Sequence, residues 1–137
     1  MTQTINHNIR VIHLITGEDV ICNFTQLKDD EEKFVGYQVL YPLVLSLSPG
    51  QQDENGNDTY SVGYRRWNPY TPYEDHRIAP NAVISAMPPS EDILVNYINR
   101  LKEANVDLSF LPNNGDDIIG KTTESAITEG PVAAGVS

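Results

Sequence analysis

The segment Arg65-Arg66-Trp67-Asn68-Pro69-Tyr70-Thr71-Pro72-Tyr73 holds the densest group of chemically able side chains in the sequence. Two guanidinium groups beside three aromatic rings suit three roles. The rings can stack nucleobases while Arg65 and Arg66 supply charge and cation–π attraction. Trp, Tyr and Arg are also the residue types that most often carry protein-binding energy, which makes Arg65, Arg66, Trp67, Tyr70 and Tyr73 protein-contact candidates. Two prolines stiffen the same stretch into a lid with Trp67 buried beneath it. The sequence alone leaves all three roles open. Elsewhere the chemistry is thin. His7, His13 and His76 have no Cys or His at metal-ligand spacing, so no metal site is expected. His13 reads as a strand residue, and Cys22, alternating with Val20 and Phe24, as buried filler. Glu18 and Asp19 are adjacent and point apart. Ser46, Ser48 and Ser61 have no base nearby, and neither a P-loop nor a nucleophile elbow occurs. The expectation is a protein that is not an enzyme and uses no cofactor.

These residues sit in a chain of 137 residues, 39% hydrophobic and 20% charged, with 9 Lys+Arg against 19 Asp+Glu and a net charge of −10. That length holds one small domain and an extension. It excludes a cofactor domain joined to a substrate lobe. The charge excludes binding nucleic acid through a broadly basic surface, leaving room only for a small local site around Arg65, Arg66 and Arg77. A lone Cys22 closes no intrachain disulfide. No run approaches the length of a membrane span, and residues 1–10 lack the basic-then-apolar order of a secretory leader, so the reading is a soluble, cytoplasmic protein without membrane partners.

Composition shifts near Asn105. Residues 105–137 contain four glycines, five acids and one base, with no sustained apolar period, and read as a flexible acidic tail carrying short apolar pieces at Leu108, Phe110 and Leu111 and at Ile118 and Ile119. Residues 1–104 form the domain. Residues 9–15 and 20–25 are β-branched runs around the turn Thr16-Gly17-Glu18-Asp19, with apolar side chains on both faces. A charged turn at 28–33 leads to a strand over 34–41, which Pro42 interrupts before another over 43–47. That strand pairs with 59–67 across a long polar loop tipped by Asn55-Gly56. Residues 82–87 make the last strand. Ser90 then offers an N-cap, Glu91 and Asp92 fill the first turn, and Ile93, Leu94, Tyr97, Ile98 and Leu101 form one stripe of a helix over 90–104. The fold class is therefore mainly β, a small SH3-like or OB-like barrel with a C-terminal α-helix.

Two stretches carry a resemblance. Leu14-Ile15-Thr16-Gly17-Glu18-Asp19-Val20-Ile21-Cys22-Asn23-Phe24 resembles the first motif of Sm-like (LSm) proteins, and Ile78-Ala79-Pro80-Asn81-Ala82-Val83 resembles the second. With the Asn-Pro-aromatic loop and the helix after the barrel, residues 9–104 are similar to small Sm-like proteins of marine tailed phages and metagenomes. The resemblance implies an Sm-like β-barrel that assembles as a homo-oligomeric ring through edge strands. It places such a viral protein in the host cytoplasm or in association with the virion. It also implies single-stranded RNA binding near the ring centre through Tyr37 and Gln38 at the loop position, Asn81 at the second-motif Asn, and Arg77 just ahead of that motif. Ala79 replaces the family Arg and Pro80 the Gly, and the family's N-terminal helix is missing. With that Arg lost and the charge at −10, the function expected first is a non-enzymatic oligomeric module for protein–protein interaction. RNA binding is the alternative.

Overall fold

Gly17 sits at φ 92, the left-handed region that favours glycine, and its N–H donates to Leu14 O at 2.9 Å while Leu14 N donates to Glu18 O at 2.9 Å. This turn joins β1 (Ile9–Leu14) to β2 (Asp19–Lys28). There follow β3 (Phe34–Pro49), β4 (Tyr60–Arg66), β5 (Asp75–Ile78), β6 (Val83–Met87) and helix α1 (Glu91–Glu103). The structure is a computed structural model that describes residues 7–115, and most of the acidic extension lies outside the described residues. The described residues are mainly β, with one antiparallel sheet and one α-helix, and the chain divides into two compact units, Asn8–Pro89 and a second that takes in the chain from Ser90.

In the first unit the strands run in the order β4-β3-β2-β1-β6, and β5 also pairs with β3. Among the described residues no ladder joins β6 to β4 or β5, so the expected closed barrel is not completed by hydrogen bonds. One face holds the core: Ile12, Leu14, Val20, Cys22, Val39 and Val44, with Phe24, Trp67, Ile78 and Val83 packed against it. Each fully buried aliphatic side chain here contributes about 1.5–3 kcal/mol relative to exposure. Ile9 and Ile21 are buried on the opposite face, matching the two-sided apolar content of the first two strands.

Pro42 does not divide β3. Ile21 pairs with Leu43 and Asn23 with Leu40, so Tyr41 and Pro42 together oppose Cys22 in a bulge where a missing N–H costs no ladder bond. The strand expected to break at Pro42 continues through it. β5 was not anticipated.

Cys22 is fully buried, and burial pushes its thiol up from 9.0 to about 12. The unfolded chain loses this proton near pH 9 while the folded chain keeps it, so the stability contributed by the neutral thiol falls as pH rises from 9.0 toward about 12. Urea titrations across that window should show a decline that Cys22→Ala reduces. At pH 8 the folded thiol should resist a disulfide-exchange reagent that the urea-unfolded chain consumes at once.

In the second unit α1 buries Leu94, Tyr97, Ile98 and Leu101. Ser90 stands at the N-cap, but its hydroxyl donates to Asp92 Oδ1 at 2.8 Å and does not receive a helix N–H. At the other end Asn105 adopts φ 59, with Asn105 N donating to Lys102 O and Val106 N to Leu101 O, both at 3.0 Å, a Schellman-type stop. Residues 105–115, which composition assigns to the flexible tail, bury Leu108 and Leu111. Gly115 lies close to Ile98 and Leu111. No helix among the described residues is long and apolar enough to cross a membrane.

Candidate functional site

β4 and β5 lie end to end along the same edge of β3, pairing with residues 43–49 and 37–40 respectively. Between them is the Tyr41-Pro42 irregularity, with Tyr41 at φ 51. Trp67 N donates to Pro42 O at 3.3 Å, and Tyr41 N donates to Glu74 O at 2.9 Å. The chain therefore leaves the sheet after Trp67 and rejoins it at Glu74, so residues 68–73 loop outward where β3 offers no regular ladder.

The loop is held from within and at its base. Asn68 Oδ1 accepts Tyr70 N and Thr71 Oγ1 accepts Tyr73 N, both at 3.2 Å. Arg66 Nε lies 2.8 Å from Glu74 Oε1 as an ion pair whose N–H is not aimed along a hydrogen bond, and Arg66 Nη2 donates to Tyr73 O at 3.4 Å. Trp67 anchors the near end. Its ring packs on the core and meets His76 edge-on at 5.4 Å, and its Nε1 donates to Glu18 Oε1 at 3.3 Å. Tyr70 and Tyr73 remain 95% and 73% exposed. One segment thus combines a packed anchor with two presented rings, which suits protein contact because tyrosine offers large area at small entropy cost.

Arg65 and Arg66 do not converge. Arg65 pairs with Val44 and Arg66 with Leu43, placing the two guanidinium groups on opposite faces of the sheet, and Arg66 is engaged by Glu74. Of the local positive site expected around Arg65, Arg66 and Arg77, Arg65 is therefore set apart across the sheet from Arg66, while the register leaves Arg77 on Arg66's face.

The four nucleic-acid candidates are likewise divided. Gln38 pairs with Arg77 across β3 and β5, and with Thr25 on β2, so these three share a face. Gln38 Nε2 donates to Asp75 Oδ1 at 3.1 Å and Oδ2 at 3.2 Å, and its Oε1 receives Thr25 Oγ1 at 3.5 Å. Tyr37, the adjacent strand residue, points to the other face and stacks on Phe24 with ring centroids 4.5 Å apart. Asn81 is exposed in the short 3-10 turn Pro80–Ala82. Stacker and edge reader do not meet.

Sequence reading missed the ring cluster of Phe24, Tyr37 and Phe34, whose members lie on two strands and carry no local motif. It also missed an acid–base pair: His13 Nδ1 lies 2.6 Å from Asp19 Oδ1 across β1 and β2, with Ser85 opposite His13 on β6. This row is solvent-exposed, and Ser85 makes no hydrogen bond to the imidazole. Among the described residues no group of three or more His, Cys, Asp or Glu is placed to hold a metal. No known family profile matches the chain, and no curated protein is significantly similar to it.

Proposed function

We propose that the chain is an Sm-like small β-barrel acting as a non-enzymatic, homo-oligomeric protein-interaction module. The observation that carries this reading is the convergence of both ends of the sheet on one core. Val83 of β6 packs in the same cluster as Ile78 of β5 and as Trp67, which follows β4. Such convergence supports a barrel form, and among the described residues no further strand pairs with the outer edges of β4 and β6. β6 has no charged residue and exposes Ile84 and Met87, each at 63%. Natural edges of this kind are blunted by charge or covered by another chain, and heterologous pairing of one edge with the other closes into a cyclic oligomer where the rotation permits. Phage origin rests on the resemblance of the Thr16–Asp19 turn and the Asn68-Pro69-Tyr70 loop. The RNA alternative draws less support, since Tyr37 and Gln38 face apart and Gln38 is bonded to Asp75.

Light scattering at micromolar concentration should give a mass several times that of one chain. Ile84→Lys combined with Met87→Lys puts two charges on the edge without disturbing buried residues and should shift the mass to that of a monomer with unchanged circular dichroism. A wild-type monomer sinks the oligomer reading.

A further inference from the structure

The end of the sheet beside the β2–β3 turn carries an aromatic shelf built by a second bulge. Leu27 pairs with Gly36 and Lys28 with Phe34, which leaves Val35 as an extra residue. Gln26 and Lys28 share a face of β2, so their partners Tyr37 and Phe34 share a face of β3 although three residues apart. An unbulged strand places them on opposite faces. Phe34 meets Tyr37 with centroids 4.9 Å apart at 60°, and Tyr37 stacks on Phe24 at 28°. The row runs from the core to solvent, ending on Phe34 at 40% exposure, with the bulged Val35 at 51%. Bulges are built features that re-aim side chains, and the effect here is to turn a phenyl ring outward at the tip of a hairpin.

The turn ahead of the shelf, residues 28–33, has four carboxylates and two ammonium groups. Asp29 Oδ1 organises it by accepting Glu31 N and Lys33 N, both at 2.9 Å, and Lys33 Nζ is paired with Glu31 at 3.3 Å. Asp30 and Glu32 are exposed in this turn, and Lys28, which pairs with Phe34, shares the shelf's face.

We propose that this shelf docks a basic peptide segment of a partner protein, anchored by an aromatic or aliphatic side chain on Phe34 and Tyr37. Charge complementarity selects the occupant. The turn's surplus of carboxylates over ammonium groups, in a chain of net charge −10, attracts Lys and Arg and repels phosphate, and the ring faces add cation–π attraction. The same surface is therefore unfavourable to the nucleic acid that Tyr37 alone suggests. This deepens the protein-partner reading and does not depend on ring formation.

The test is fluorescence anisotropy of labelled KFKLRFKL, KSKSRSKS and an eight-nucleotide oligouridine against the full chain, with light scattering on the same samples to read oligomeric state separately. KFKLRFKL should bind. Phe34→Ala should weaken it about tenfold, near the 1.4 kcal/mol of one decade, and Phe34→Tyr should retain it. Asp30→Asn with Glu32→Gln should weaken it about threefold and reduce its salt dependence. The proposal is overturned if KSKSRSKS binds equally well, if Phe34→Ala leaves affinity unchanged, or if oligouridine is the ligand that Phe34 controls.

Discussion

Trp67→Ala should lower the unfolding free energy by about 3 kcal/mol, the lower end of the range for truncating a packed tryptophan, because the indole is only partly buried. In a domain of this size that corresponds to a fall of more than about 10 °C in melting temperature. Two losses combine. The core cluster loses the ring packed against it, and Glu18 loses the indole N–H 3.3 Å from its carboxylate. Trp67→Phe separates them: it keeps much of the packing and should cost about 1 kcal/mol for the bond. Limited chymotrypsin digestion supplies the functional readout, since Tyr70 and Tyr73 should be cut faster once the near end of their loop is released. Destabilisation below about 1 kcal/mol in Trp67→Ala would mean that the loop is held chiefly by Arg66 and Glu74.

Gly36→Ala should destabilise by about 2 kcal/mol through overpacking. A β-carbon at position 36 stands 2.8 Å from the carbonyl oxygen of Ile78, a backbone atom fixed by its own pairing with Tyr37. The clash lifts β5 from β3, so amide exchange at residues 75–78 should accelerate before that of β1 and β2. The Phe34 and Tyr37 ring resonances should shift as the bulge relaxes. Gly17→Ala is the informative comparison. That residue has φ 92 and no atom within 4 Å of an added β-carbon, so its cost is conformational alone, about 1 kcal/mol. If the two substitutions cost the same, close approach of β5 is not what position 36 requires.

What could be read from the residues in order follows the range of the forces involved. The turn at Thr16–Asp19, the hairpin over 43–47 and 59–67, and the helix are set by neighbouring residues: a left-handed glycine, alternating β-branched side chains, an apolar stripe with acids first and bases last. Each carries its own signal. Ser90 shows how narrow that legibility is, because its position was correct and its hydroxyl went to Asp92 instead.

β5 could not be read. Asp75-His76-Arg77-Ile78 has no apolar alternation and becomes a strand only because β3 offers a free edge there. The candidate sites failed or emerged for the same reason. Tyr37 and Gln38 look like partners in sequence, yet the pleat separates them. Phe34 and Tyr37 look out of phase, yet the extra residue at Val35 brings them to one face.

The sequence by itself determined a mainly β chain with one helix, an acidic surface and an aromatic loop, since composition and local periodicity act within a few residues. Only the tertiary structure decided which side chains share a surface, because register, bulges and strand pairing are fixed by contacts between residues far apart in the chain. That is how the tyrosines of the loop came to be presented, Arg65 and Arg66 separated, and a phenylalanine turned outward after a carboxylate-rich turn.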